Sequence, residues 1–400
     1  MRGRTLTDTG AGPTAGWRSA AVGGVALWLC VRLVVSLIGI VTGALRSGPS
    51  VTDRAAARTL DSAGDGFVAV LHHWDSGYFL TIARDGYFSD GAFAGLPSFF
   101  PGYPLAARAV SWLVSAGHPD TDSLVAAMWL ISSCASVVAA VVLWRLVDVT
   151  RPGAAPGLTT LMFLAGPYSV FLYANYSESL FLAFALAAWY CAVTGRWWAA
   201  GMWCGFATFT RINGLFLLVG LIAMYLTSSR RPGARAGWSW MPVAASGVLA
   251  YSAYLAVRTG DLFAWRTAQL AGWDRSFHWP WESLYQTAGR VLFASTPDRR
   301  LQFGLDIAAA ALMVVAVVVW VHRRRWPETA FAVATLVPLT STFTLVSLAR
   351  NSVTVFPLTI LAAAAVQRLS RRWLQTGVLC VWFGLFLLNT TLFAMGYWAD

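Results

Sequence analysis

The chain has 400 residues, of which 57% are hydrophobic and 12% charged, and its mean hydropathy is +0.59. A soluble domain carries about 25% charged residues, so this composition excludes an ordinary soluble globule and points to a polytopic membrane protein with room for roughly ten spans of about 20 residues. The net charge of +11 does not indicate nucleic acid, because the basic residues, 29 arginines and no lysine, sit in short connectors between apolar runs, where they set topology.

In chain order, residues 1–16 are polar and precede a run too long for a signal-peptide core, which reads as a retained anchor. Apolar runs follow at 19–45, 122–147, 157–174, 178–194, 197–228, 238–258, 301–321, 327–348, 352–367 and 374–396. Arg2, Arg4 and Arg18 precede the first run, and Arg145 and Arg151 follow the second. Arg196, the cluster Arg230, Arg231 and Arg235, the triplet Arg323, Arg324 and Arg325, and the group Arg368, Arg371 and Arg372 mark later turns. Assigning all of these to the cytoplasm satisfies the positive-inside rule with one parity. The amino terminus is then inside, the carboxyl terminus outside, and two long segments, 46–121 and 259–300, are outer loops of a multi-pass cell-membrane protein.

The run 197–228 is too long for one upright span and too short for two. Thr210-Arg211-Ile212-Asn213-Gly214 lies at its middle. Two short helices meeting at that polar turn preserve the parity, and such a turn should face a cavity, because irregular backbone at membrane depth is tolerated only there. One long tilted helix is the alternative and would flip everything after it. Residues 101–117, with Arg108 inside, read as a helix on the outer surface. No repeat or linker divides the chain, so 1–400 is expected to be one domain.

Eight carboxylates (Asp53, Asp61, Asp65, Asp75, Asp85, Asp90, Asp120, Asp122) are assigned to the first outer loop and four (Asp261, Asp274, Glu282, Asp298) to the second, twelve of the 18 acids. Acid–base chemistry is therefore expected outside. The five cysteines fall inside apolar runs with no C-x-x-C or Cys/His ligand spacing, which supports neither a disulfide framework nor a zinc site. No metal or other cofactor is expected.

The densest polar and aromatic patch is His72-His73-Trp74-Asp75-Ser76-Gly77-Tyr78-Phe79. Asp75 suits a general base that takes a proton from an acceptor hydroxyl, and equally an N-cap of the helix suggested by the spacing of Trp74, Tyr78, Phe79 and Ile82. His72 and His73 can hydrogen-bond a carboxylate or a sugar, or simply solvate an interface, and Asp85 reads as a solvated surface carboxylate. Arg211 and Arg350 fall at outer ends of spans. A guanidinium fork matches phosphate oxygens, while snorkelling to the headgroups is the bland explanation; the Asn213-Gly214 turn favours function for Arg211. Arg32 lies within the first span and is given no role. In Asn175-Tyr176-Ser177-Glu178-Ser179, Glu178 can pair with an arginine, contact sugar hydroxyls or cap the next helix, and the glycosylation sequon is a frequent accident.

At these residues the chain resembles a known family. His73-Trp74-Asp75 with Tyr78-Phe79, Ile82-Ala83 and Gly86-Tyr87, then Phe99-Phe100-Pro101 and Pro104, is similar to the first luminal loop of the second mannosyltransferase of GPI-anchor assembly and its bacterial relatives, the PIG-V-like family. Pro167, Tyr176-Ser177-Glu178-Ser179-Leu180-Phe181, Thr210-Arg211-Ile212-Asn213-Gly214, and Ala349-Arg350 with Phe356-Pro357 follow in the family's order, so the resemblance runs from about residue 70 to 360. It implies an all-α GT-C fold with about 10–11 transmembrane helices and an acidic catalytic residue in the first outer loop. It also implies inverting transfer from a polyprenyl-phosphate mannose donor.

The expected activity is mannosyl transfer to an outer-face lipid, glycan or protein acceptor. Asp75 would be the catalytic residue, Arg211 and Arg350 would hold the donor phosphate, and His73, Trp74, Tyr78, Tyr176, Glu178 and Asn213 would contact substrate. A lipid or sugar-lipid transporter is the alternative, and would spread its polar residues along a path through the bilayer. The topology is checked by labelling single cysteines. Positions near Ser89 and Arg275 should react from outside and those near Arg231 and Arg324 from inside. Reaction of Ser89 and Arg231 from the same side breaks the parity.

Overall fold

The computed structural model describes residues 13–45, 69–228 and 237–397. Arg2, Arg4, Asp53, Asp61, Asp65, Arg230, Arg231 and Arg235, which enter the topology argument, lie outside the described residues. The described residues form an all-helical, polytopic membrane protein without a strand.

Helix α1 (Pro13–Leu45) packs against α4 (Thr121–Thr150). Between them in sequence come two short helices of the first loop, α2 (Asp75–Asp85) and α3 (Gly102–Val114). At about 1.5 Å per residue α3 is some 20 Å long, too short to cross a bilayer. It buries Tyr103, Ala107 and Ser111 and leaves Arg108, Trp112, Leu113 and Val114 exposed, as a surface helix should. Helix α4 opens on a reciprocal cap, in which Asp120 accepts from the Ser123 amide at 2.8 Å and the Ser123 hydroxyl accepts from the Asp120 amide at 3.0 Å. The Ser123 side chain, and then the Ser123 amide, hold the Asp120 carboxyl below its usual range, so this acid is structural.

The chain continues through α5 (Pro156–Leu164), a 3₁₀ turn at Ser169–Leu172, α6 (Glu178–Val193), α7 (Trp197–Thr210), α8 (Asn213–Thr227) and α9 (Trp240–Thr259). The second loop holds α10 (Ala264–Trp273) and α11 (Pro280–Phe293) and is not extended chain. Then follow α12 (Pro297–His322), α13 (Trp326–Thr340), the five-residue α14 (Leu348–Ser352), α15 (Pro357–Arg368) and α16 (Arg372–Ala394).

Five described helices, α1, α4, α9, α12 and α16, are long and apolar enough to cross a membrane. The other apolar runs are divided or shortened. Run 157–174 becomes α5 and a 3₁₀ turn after Gly166-Pro167, and α13 ends just past Pro338. Run 197–228 becomes α7 and α8 with Arg211 extended between them (φ −153°, ψ 150°), the two-helix arrangement expected for it. Short helices leave backbone termini inside the bundle, and those termini are where the polar motifs lie.

In lipid, helices associate through close packing more than through the hydrophobic effect. Helices α7 and α9 approach so nearly that a Cβ at Gly247 would lie 2.2 Å from the Gly205 carbonyl oxygen. The core beneath the short helices is aromatic. Phe171, Tyr176 and Phe393 meet edge to face at 5.0–5.8 Å between centroids.

Candidate active site

Four chain segments bring charge to one point. Asp75 is the first residue of α2 and Glu178 the first of α6; Arg211 is the extended link between α7 and α8, and Arg350 lies in α14. Gly214 allows the α7–α8 turn to fold this tightly, since a Cβ there would lie 2.4 Å from the Thr208 amide nitrogen.

The charges pair in a chain. Arg350 Nη1 donates to Asp75 Oδ2 at 2.7 Å and Arg350 Nε to Glu178 Oε1 at 2.6 Å. Arg211 Nη1 lies 3.0 Å from Glu178 Oε2 and donates to Ser177 Oγ at 2.8 Å, while its Nη2 donates to Asn351 Oδ1 at 3.3 Å. Asn213 donates to Asn351 Oδ1 at 3.5 Å and to Thr354 Oγ1 at 3.1 Å. Two adjacent rings also pack on the Arg350 guanidinium, Phe171 (4.7 Å to the centroid) and Tyr176 (4.5 Å). Side-chain exposure grades from 0% for Glu178 and 5% for Arg350 to 14% for Arg211 and 19% for Asp75. The partly open members are thus Arg211 and Asp75.

Asp75 is not an N-cap. The capping position is Trp74, which makes no side-chain cap bond, and the Asp75 carboxylate turns to Arg350 instead. The backbone that aims it is unusual. Trp74 has φ 53° and ψ −117°, a region that glycine occupies readily and a bulky residue does not, at a cost of about 1–3 kcal/mol. Tyr176 fixes this turn, because its hydroxyl donates to the His73 carbonyl at 3.0 Å and accepts the Asp75 amide at 3.1 Å.

Asp75, Arg211 and Arg350 line one cavity of about 1210 Å³. Trp74, Tyr78, Ser177, Asn213, Ser347 and Asn351 line it too. Its walls carry five arginines (Arg84, Arg211, Arg266, Arg275, Arg350) and three aspartates (Asp75, Asp85, Asp90), so with Glu178 behind the wall the balance is positive by one. Arg84 pairs with its neighbour Asp85 at 2.9 Å at the exposed rim, the surface role expected of Asp85. Apolar lining comes from Leu215 and Phe216 of α8, Pro338 and Leu339 of α13, and Phe277.

His73, Tyr176 and Glu178 do not line the cavity. They sit behind it, fully or almost fully buried, and hold its wall in place. The His73 ring lies edge to face with Phe393 at 5.6 Å, and the His72 ring nitrogen Nδ1 is 3.0 Å from Asn175 Nδ2. Asn175 is 0% exposed, so the sequon is buried. Arg32 donates to the Tyr173 carbonyl at 3.3 Å and lies 5.0 Å over the Trp129 ring, a tie between α1 and the core. Among the described residues no group of three or more His, Cys, Asp or Glu is arranged to hold a metal.

Two features are absent from the residue reading. Asn351, next to Arg350 in sequence, joins Arg211 to Asn213, and its position inside Ala349-Arg350-Asn351 was the only available signal. The second loop closes over the first: Trp273 of α10 meets Tyr78 at 5.9 Å, Phe93 at 5.4 Å and Phe99 at 5.5 Å, while Tyr78 stacks on Phe93 at 5.1 Å. Burial, and then the nearby Asp75 charge, raise the Tyr78 phenol above its ordinary value, so it remains a hydrogen-bond donor.

A sequence model of the family described as Mannosyltransferase (PIG-V) matches residues 25–229, about half of the chain. Among curated relatives, GPI alpha-1,6-mannosyltransferase 2 of Rattus norvegicus is 34% identical over 169 residues, 40% of this chain and 33% of the relative. The Homo sapiens protein of that name is 35% identical over 163 residues, 39% of this chain and 32% of the relative. The matched stretch thus spans about a third of each relative's length. No solved structure matches the chain.

The strain at Trp74 reverses an ordinary preference. Alanine normally stabilises a backbone by about 0.5–1 kcal/mol relative to glycine, but at φ 53° and ψ −117° glycine is the residue without strain. Purified Trp74→Gly should therefore melt at a higher temperature than Trp74→Ala. A Trp74→Ala protein as stable as Trp74→Gly, or more so, would show that the turn is relaxed.

Proposed function

Because the chain belongs to the PIG-V mannosyltransferase family, we propose that its cavity transfers mannose from a polyprenyl-phosphate donor to a hydroxyl of a lipid, glycan or protein acceptor, in a GT-C-type arrangement. The observation that carries this reading is the position of Asp75. It is a partly exposed carboxylate on the wall of a 1210 Å³ cavity, oriented by a guanidinium that is itself held by a second carboxylate and by two aromatic rings. The convergence of Asp75, Arg211 and Arg350 on one cavity supports a transferase over a transporter, whose polar residues would follow a path across the bilayer.

In this reading Asp75 takes the proton of the acceptor hydroxyl as its oxygen bonds to C1 of the mannose. The C1–O bond to phosphate breaks at the same time, its electron pair leaves with the polyprenyl phosphate, and a single displacement inverts the anomeric centre. Arg211, the more exposed guanidinium, takes the phosphate, and the positive balance of the walls suits an anionic donor. Arg350 lines the same wall, but its Nε and Nη1 already meet carboxylates, so its main part is to aim Asp75. Trp74, Tyr78 and Asn213 border the sugar, and Leu215, Phe216 and Leu339 offer apolar surface for the prenyl chain. The site is assigned to the outer face by the arginine distribution.

The test is transfer from radiolabelled polyprenyl-phosphate mannose to fractionated membrane acceptors by the purified protein. Asp75→Asn keeps the shape of the side chain and removes the base, so turnover should fall about 10²–10⁴-fold with folding retained. Near-normal turnover in that variant removes the base from the mechanism.

Arg211→Lys keeps the charge and loses the fork. Its defect should appear when the lipid-phosphate donor is varied and be small when the acceptor is varied. Donor kinetics identical to those of the unaltered protein would mean that Arg211 does not hold the phosphate.

A further inference from the structure

We infer that Asp306, a buried carboxylate within the spanning helix α12, is a positioning residue for the site, holding the backbone of α14 and through it Arg350 and Asp75. The inference rests on the reading of the cavity as a transferase site.

Asp306 is 1% exposed and belongs to a helix long and apolar enough to cross the membrane. An ionisable group in such a helix is expensive to keep, and those that persist usually serve a site. It does not line the cavity and lies far in sequence from every motif of the site. Its Oδ1 accepts the backbone N–H of Ala349 at 2.8 Å. Ala349 is the second residue of α14, immediately before Arg350.

Helix α14 needs outside support. It has five residues, its N-cap Ser347 stands in the left-handed region (φ 65°) and makes no side-chain cap bond, and first-turn amides have no acceptor within their own helix. The segment is tied from two other helices instead. Thr287 of α11 accepts the Leu345 amide at 2.9 Å through its hydroxyl, and Asp306 of α12 accepts the Ala349 amide. Asp306 thus caps α14 from a neighbouring helix. What the bond fixes matters for chemistry, because the next two residues supply the guanidinium on Asp75 and Glu178 and the amide on Arg211 and Asn213.

The test uses full-length protein in lipid nanodiscs. Asp306→Leu keeps the approximate volume and cannot accept a hydrogen bond; Asp306→Asn keeps an acceptor oxygen. With Asp306→Leu, turnover at saturating substrates should fall about 10–100-fold, the scale of a 1 Å misplacement. Donor and acceptor KM should move less than about threefold, since Arg211 keeps Ser177 and Glu178 as partners outside α14, and Asp306→Asn should recover most of the turnover. Amide hydrogen exchange provides a readout that does not depend on mannose chemistry. Peptides covering 345–356 should exchange about tenfold faster in Asp306→Leu, as expected for one lost bond of this kind, with α1, α4 and α7 unchanged.

Unchanged exchange at 345–356 in Asp306→Leu overturns the capping role, whatever the activity. Faster exchange with unchanged turnover overturns the link to Asp75. Faster exchange throughout the helices would make Asp306 a general stability residue and also overturns the inference. If Asp306→Leu does not fold, Asp306→Ala takes its place under the same outcomes. Absence of mannosyl transfer in the unaltered protein, with local exchange behaving as stated, refutes the transferase reading and leaves the capping bond intact.

Discussion

Two carboxylates and two guanidinium groups share one end of this helical bundle, and none of the four has more than a fifth of its side chain exposed. Removing Glu178 or Arg350, the two most buried members, leaves an unmatched charge in a poorly hydrated place, which typically costs about 3–5 kcal/mol. That buried pair therefore anchors the set. Glu178 is the element on which the set depends. It is fully buried, accepts Arg350 on one oxygen and faces Arg211 with the other, and so ties the α6 terminus to both the α7–α8 turn and α14. Hydrophobic residues of equal volume could fill the same space at lower cost. What the ionic set supplies is direction: it presents one carboxylate, Asp75, and one guanidinium, Arg211, to the cavity from fixed positions.

The architecture follows from that requirement. A bundle of uninterrupted spans would carry its polar termini to the headgroups and leave nothing at depth. Here α7, α8, α13 and α14 stop short, and their ends deliver backbone and side-chain polar groups to a common region. Such ends are tolerated only where protein or a cavity satisfies them. Ser177, Asn351, Asn213 and Thr354 do so here through a connected set of side-chain bonds.

Much of this was legible in the residues. The Arg211 turn was recognisable because a run of that length fits neither one span nor two, and the structure breaks it there. Asp75 stood out because a carboxylate beside His, Trp and Tyr is rare in so apolar a chain. Periodicity could not show where its side chain would turn. A helix begins at Asp75, as the spacing suggested, yet the carboxylate points to a residue 275 positions away and not to its own amides. The same limit hid the parts played by Glu178 and Tyr176. Both read as substrate contacts by motif and both lie behind the wall, because burial depends on which helices pack over them. Asp306 carried no local signal beyond being a carboxylate in an apolar run, and its partner is a backbone amide, which no sequence pattern marks.

The pairing of Asp75 with Arg350 fixes where a base would stand, because a carboxylate held by a guanidinium at 2.7 Å keeps one orientation. Under the proposed reaction, the work of lowering the barrier then falls mainly on alignment and on the positive wall that receives the phosphate. That division explains why so much of the buried structure goes into holding Arg350 still. The guanidinium need not touch the reacting atoms to matter, because the line of attack is set by where it keeps Asp75.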